Sequence, residues 1–415
     1  MILRDKNKNL LIEETQISEL AKQFGTPIYA YSEKQIRKNI QSLKTSLSKH
    51  FEKFQILYAI KANSNPHILR IFQEEGLGAD CSCEGEIFIA EKLGFSMKDS
   101  IYTANYQLEE DLARASQKGI ILNLDDYNQL DELCKISKPE IISFRINPGI
   151  GRGGFEGIVT GGTDAKFGFP YEETEKAYRK ALDLGIKRFG IHMMTGSNNL
   201  EPFYFAEITQ KIMTIAGESL SKLGIQLEFV DIGGGFGIPY TENESEIDLD
   251  LTFKLTSDAF YEGVKKYSLG NPKLIVEPGR FLVGNAGVLI SQVTHVKQTY
   301  KRFAGLDAGM STLLRPSLYE AYHKILIDRK SEQNEKYFLT GQICENSDIH
   351  PQEREMPNLE QGDLAVITDV GAYGFVMSSH YNHRPKPAEI LVSGKNVKLI
   401  RRAETLEDIW QKIEA

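Results

Sequence analysis

The sequence predicts an α/β fold: a (β/α)8 barrel of the TIM type followed by a mostly β C-terminal domain. Three observations carry that expectation. Eight short apolar runs each stand a helix-length apart. The stretches between them place apolar residues three or four apart and often end in glycine. After Arg280 this alternation stops and the chain reads as strands and turns. The chain's 415 residues exceed the size at which single cores usually split, so two domains are expected.

In chain order, the expected barrel strands are Gln55–Ile60, Gly78–Cys81, Ser100–Thr103, Ile120–Leu124, Ile141–Ile146, Phe189–Met193, Glu228–Ile232 and Lys273–Val276. The stretches "EGEIFIAEKLG", "NQLDELCKI", "TEKAYRKALDLG" and "EITQKIMTIAGESLSKLG" read as helices packed outside a sheet. Counting leaves an open doubly wound sheet as the alternative, because number alone does not show closure. From Asn285 onward, "AGVLISQVTHVK", "KRFAGLDAG", "EKYFLTGQIC", "GDLAVITDVGAY" and "PAEILVSGK" alternate with turn residues, and a short helix, "TLEDIWQKI", closes the chain. The opening segment, ending in "TPIYAYS", lies too far ahead of the first barrel strand to belong to it. The expected organisation is therefore residues 1–31 packing on the β domain, 32–280 as the barrel and 281–415 as the β domain.

Composition excludes several classes. With 49 basic and 57 acidic residues the net charge is −8, and no basic tract offers a nucleic-acid surface. The start, "MILRDKNKNLLIEE", is charged where a secretory leader needs its apolar core, and no run reaches about 18 apolar residues, so a soluble cytoplasmic protein is expected. Four cysteines, Cys81, Cys83, Cys134 and Cys344, are too few for a disulfide scaffold. The C-x-C of "DCSCEG" has no matching Cys/His pair nearby, so no metal is expected.

In a barrel the chemistry sits at the C-terminal ends of the strands. There the sequence places Lys61 in "YAIKANSNP", then "DCSCEG", "RINPG", "HMMTGS", "DIGGGFG" and "EPGR". A strand-end lysine can snorkel, pair with a carboxylate, or act as an amine. The glycines around Gly235 let backbone N–H groups converge on an anion, with Gly196 and Ser197 able to add an amide and a hydroxyl. They follow strand seven and "EPGR" follows strand eight, where barrels hold phosphate. Lysine forms a Schiff base with an aldehyde, and pyridoxal 5'-phosphate carries an aldehyde and a phosphate. That cofactor needs an acid at its pyridine nitrogen, which Glu277 can supply; the bland alternative is a rim salt bridge between Glu277 and Arg280.

These motifs, with "FRINPG", "GGTDAKFG", "LDAGMSTLLRPSLYEAY", "GQICENSD" and "DVGAYGFVMSSHYNHRPKPAEILV", resemble the fold-type III, alanine-racemase-like pyridoxal-phosphate decarboxylases from about Thr26 to Val392. The likeness is greatest to the members that act on diaminopimelate, because "RPSLYEAY" is missing from the ornithine and arginine branch, which usually carries Asp where Glu345 stands. The resemblance implies Lys61 as the Schiff-base lysine, cofactor contacts from Gly235 and Glu277 through Gly279 to Arg280, and Tyr373 near the phosphate. It implies Arg280, Arg315 and Tyr319, with Tyr373 beside them, at the substrate's distal carboxylate, Glu345 at its distal ammonium, and Cys344 as proton donor. It further implies a head-to-tail homodimer with shared active sites, and decarboxylation of meso-2,6-diaminopimelate at its D-configured centre to L-lysine and CO2. A relative acting on another amino acid, a carboxylated polyamine precursor or a carrier-bound amino acid is the alternative, and a non-catalytic binding relative a third.

Two departures stand out. Where most members lay a histidine on the cofactor ring, three residues before the serine, this chain has Met194; His192 lies two positions earlier on the same strand face. The loop "GIGRGGFEGIVTGG" also lacks the usual histidine.

Overall fold

The computed structural model describes residues 2–6, 9–151, 160–328, 333–411 and 413; the loop reading at Arg152–Val159 lies outside them. The chain divides into two compact units. One comprises Ile40–Ile238 and Ser245–Phe281; the other comprises Met1–Asn39, Pro239–Glu244 and Leu282–Ala415. The division is discontinuous in sequence, unlike the expected contiguous ranges, because the N-terminal segment is woven into the second unit's sheet.

The first unit is a closed parallel barrel. Its strands run Phe54–Ala59, Gly78–Cys81, Ile101–Thr103, Ile121–Leu124, Ile141–Phe144, Arg188–His192, Leu227–Asp231 and Lys273–Val276, paired in chain order. Closure comes from the eighth strand pairing with the first, Leu274 with Phe54 and Val276 with Ile56, which removes the open-sheet alternative. Buried on both faces, these strands read as apolar runs rather than alternating ones. Leu57, Ile101, Ile121, Phe229 and Ile275 form one core cluster. Glycines make room for its larger members: a Cβ on Gly190 would stand 2.2 Å from the Phe229 ring, and one on Gly78 2.5 Å from Leu57. The four expected outer helices are present, at Glu84–Lys92, Tyr127–Ile136, Thr174–Asp183 and Pro202–Leu220. After the last of these a short 3-10 turn ends on Gly224, whose φ of 68° is the left-handed geometry that stops a helix.

The second unit is built on a nine-stranded sheet whose longest strand is Gly287–Gln298. That strand pairs antiparallel with Arg302–Leu306, with Leu364–Ile367 and with Ile28–Ser32. Ile28–Ser32 in turn pairs parallel with Ala388–Ser393, so this strand of the N-terminal segment lies inside the sheet, not on its edge. Its apolar face joins Leu10, Ile12, Ile17 and Leu20 with Val288, Ile290, Val366 and Ile390 in one core. Among the described residues no helix is long and apolar enough to cross a membrane.

Candidate active site

Lys61 lies in the one-turn 3-10 helix Ile60–Ala62 that follows the first barrel strand. The residues after it explain "NSNP". Asn63 accepts the Asn65 N–H through its side chain (3.0 Å), Asn65 caps the next helix by accepting from His67 N (3.0 Å), and Pro66 starts that helix at a position needing no N–H donor. The amine therefore projects from a turn fixed on both sides. It donates to Asp80 Oδ2 at 2.5 Å and reaches Ser82 Oγ at 3.4 Å. Asp80 is the penultimate residue of the second strand and is 1% exposed; burial, then the facing Glu277, push its carboxyl up, with Lys61 opposing.

Across the barrel mouth, Glu277 follows the eighth strand and is buried. Its Oε2 lies 3.3 Å from His192 Nε2. Burial acts to raise this carboxyl, but His192 and then Lys61 outweigh it and hold it at about 2. Asp231, the last residue of strand seven, goes the other way: burial and the Glu277 charge drive it well above the usual carboxylate range. The outcome is one ionised carboxylate beside one protonated acid, as like charges at close range require. His192, Asp231 and Glu277 bring ligand atoms within 4.8 Å of one another, a cluster that spacing of Cys and His along the chain did not reveal; neither Cys81, which is buried, nor Cys83, which is exposed, belongs to it.

The glycine turn is locked between its neighbours. Gly233 N donates to Asp231 Oδ1 (2.8 Å), Glu277 N donates to Gly233 O (2.8 Å), and Asn199 N donates to Gly235 O (2.8 Å). A Cβ on Gly234 would stand 2.3 Å from Glu277 O, and one on Gly235, at φ +92°, 2.9 Å from Gly196 O. Ser197 thus follows Gly196, the residue of the strand-six loop that touches the turn. Arg280 is 4% exposed and begins the helix Arg280–Val283 directly after Gly279.

The two ring-stacking candidates part company. His192 is 1% exposed and engaged with Glu277, whereas Met194 is half-buried and its Sδ accepts from Gly234 N at 3.3 Å.

The β unit carries the remaining candidates. Arg315, 2% exposed, opens the helix Arg315–Tyr319, donates through Nε to His323 Nε2 at 3.3 Å, and sets its guanidinium 5.3 Å from the Tyr240 ring and 6.0 Å from the Tyr319 ring. Tyr373 holds a left-handed φ of 56°, uncommon for a residue with a Cβ. Cys344 and Glu345 are exposed: Asn382 Nδ2 donates to Cys344 Sγ at 3.1 Å, and Glu345 accepts from Tyr381 and from Ser347 (3.1 Å). Asp348, close in sequence, is buried and ties the loop by accepting from Met310 N (2.6 Å) and Ile343 N (2.7 Å), so its carboxylate is structural.

Sequence reasoning missed Asp80, Asp231 and Glu86. Glu86 accepts from Ser82 N at 2.6 Å, and burial lifts it to about 7. Asp80 and Asp231 shared a usable signal, an acidic residue closing a buried apolar run. It also missed His323 and Tyr240, whose partners are distant in sequence.

A buried acid pair, an amine and a glycine cradle at the C-terminal mouth of a parallel barrel define a cofactor-dependent enzyme. Residues 33–284 match the family model for the pyridoxal-binding domain of pyridoxal-dependent decarboxylases, and the chain belongs to that family. It is similar to the diaminopimelate decarboxylase of Methanothermobacter thermautotrophicus, 40% identical over 404 residues, 97% of this chain and 94% of that one. Among solved structures it is similar to diaminopimelate decarboxylase from M. jannaschii (34% identity, TM-score 0.91, 100% of this chain and 98% of that one). It is likewise similar to the Helicobacter pylori diaminopimelate decarboxylase complexed with L-lysine (35%, TM-score 0.88, 95% and 98%).

Pyridoxal phosphate is the cofactor, and the barrel mouth fits it. Asp80 Oδ1, His192 Nδ1 and Glu277 Oε1 are buried without a hydrogen-bond partner among the described residues, an amine stands beside Asp80, and the glycine turn has no room for side chains.

Proposed function

We propose that this chain decarboxylates meso-2,6-diaminopimelate at its D-configured centre, giving L-lysine and CO2. The observation that carries the substrate is Arg315: a buried guanidinium, framed by two tyrosines and fixed by His323, suits a second carboxylate, which the precursor of a simple diamine lacks. The full-length likeness to diaminopimelate decarboxylases, one complexed with L-lysine, supports the same reading.

Bound pyridoxal phosphate supplies the electron sink that accepts the electron pair left when CO2 departs. Lys61 would provide the amine that binds the cofactor's aldehyde carbon, and Asp80 accepts a hydrogen bond from that amine. Glu277, held ionised by His192 and Lys61 beside it, would hold the proton on the cofactor's pyridine nitrogen. Gly235, Ser197, Gly279, Arg280 and Tyr373 would hold the cofactor, and Met194 would lie against its ring. Arg315, Tyr319, Arg280 and Tyr373 orient the distal carboxylate. Cys344 and Glu345 of the partner subunit donate the final proton and hold the distal ammonium in a head-to-tail homodimer. Four free cysteines support a reducing, cytoplasmic setting.

The test measures CO2 release from meso-diaminopimelate, lysine, ornithine and arginine with wild type and Arg315→Ala. Turnover of diaminopimelate well above the others, with the advantage lost in R315A, is expected. Comparable turnover of all four, or an equal loss of kcat/KM for each in R315A, overturns the substrate assignment.

A further inference from the structure

The structure assigns His323 a positioning role: we infer that it holds Arg315 in the one orientation that reads the substrate's distal carboxylate. The inference rests on the reading of Arg315 given above.

His323 is fully buried. Its Nδ1 lies 2.9 Å from Thr368 O, and a carbonyl oxygen only accepts, so Nδ1 carries the hydrogen. Its Nε2 lies 3.3 Å from Arg315 Nε, whose N–H only donates, so Nε2 presents its lone pair. The two contacts together admit a single state, the neutral ring with hydrogen on Nδ1; the other tautomer would oppose like partners at both nitrogens.

The ring is itself held in place. Tyr240 meets it edge-on, 5.2 Å away at 83°, and Arg354 Nη1 donates to the His323 carbonyl while stacking 4.3 Å from the Tyr322 ring. Tyr240 also lies against the Arg315 guanidinium, so one tyrosine fixes both partners. A guanidinium can rotate about its long stem. Committing Nε to His323 sets its plane, and recognition of a carboxylate through two parallel hydrogen bonds depends on that plane. The substrate need not touch His323 for this to matter; a misaimed Arg315 costs binding of the distal head and little of the chemistry at the other end.

The experiment compares binding of L-lysine with 1,5-diaminopentane, which lacks the distal carboxylate, to the holoenzyme of wild type, Arg315→Ala, His323→Leu, His323→Gln and the R315A/H323L double variant. Wild type should prefer L-lysine, and R315A should lose most of that preference. H323L should lose roughly tenfold or more of it, the scale of one charge-assisted hydrogen bond. H323Q, which keeps a donor and an acceptor on one planar group, should stay within about threefold of wild type, and H323L should add nothing once Arg315 is gone. An unchanged preference in H323L while R315A abolishes it overturns the positioning role and leaves the Arg315 reading standing. An unchanged preference in R315A overturns that reading and this one with it. Should H323L not fold, nitrogen NMR of histidine-labelled wild type, assigned by the signal missing from H323Q, decides: the neutral Nδ1–H form is expected, and a doubly protonated or Nε2–H ring overturns the inference.

Discussion

Replacing Gly234 by alanine tests whether the glycine turn is a cradle or merely a loop. The added Cβ would stand 2.3 Å from the Glu277 carbonyl oxygen and 3.2 Å from its carbonyl carbon. A carbon normally approaches such an oxygen to about 3.3 Å, so roughly 1 Å must be recovered by moving backbone. Neither side yields alone, because Glu277 N is hydrogen-bonded to Gly233 O at 2.8 Å. The overpacking should cost about 1–3 kcal/mol of apoprotein stability. It should also shift the Glu277 carboxylate and, on the proposed cofactor role, weaken cofactor affinity by about tenfold or more. Gly76→Ala is the control: Gly76 has a φ of +74° and nothing within 4 Å of a new Cβ, so the change pays only the left-handed backbone penalty of about 1–2 kcal/mol. Absorbance titration of each apoprotein with pyridoxal phosphate, alongside calorimetric melting, separates the two effects. If G234A binds cofactor within about twofold of wild type, as G76A should, the cradle argument fails.

Three other outcomes follow from the same site. Met194→His should alter the cofactor's absorption or affinity and retain activity; unchanged spectra with lowered stability would make Met194 ordinary packing. Inactive Lys61→Ala mixed with inactive Cys344→Ala under subunit exchange should recover about a quarter of wild-type activity after random equal mixing, since each heterodimer regains one intact site; no recovery despite exchange would refute the shared site. Because the Glu277 carboxyl falls to about 2 from 4.5, its stabilisation is complete above pH 4.5 and is lost as pH drops toward 2. Urea unfolding of apo Glu277→Gln should therefore show a shallower decline across that window than wild type, and matching slopes would contradict the assignment.

The barrel was legible because each strand is an apolar run flanked by amphipathic helix, and the expected strand ends differ from those observed by only one or two residues, as at Glu228 against Leu227. Closure was not legible, since a run such as "KLIV" looks alike in an open sheet; only the pairing of Val276 with Ile56 decides it. The place of Ile28–Ser32 was hidden for a related reason, because its partners Ile290 and Ala388 lie hundreds of residues away. Lys61 and Glu277 were readable as strand-end charges. Asp231 offered the same strand-end signal, but its protonation was not legible, because burial and a carboxylate that reaches it only through the fold drive it neutral.

The strand Ile28–Ser32 also bears on the order in which the molecule can be made. It emerges early in synthesis, yet both of its sheet partners, Gly287–Gln298 and Ala388–Ser393, are translated only after the whole barrel. A ribosome working at about 5–20 residues per second leaves this apolar strand unpaired for tens of seconds while the barrel's more local contacts form. The sheet of the β unit is not complete until Ala388–Ser393 pairs with Ile28–Ser32. Interruption of synthesis anywhere between Gly287 and Ser393 would leave the N-terminal strand with an open edge, the template on which chains pair wrongly with one another.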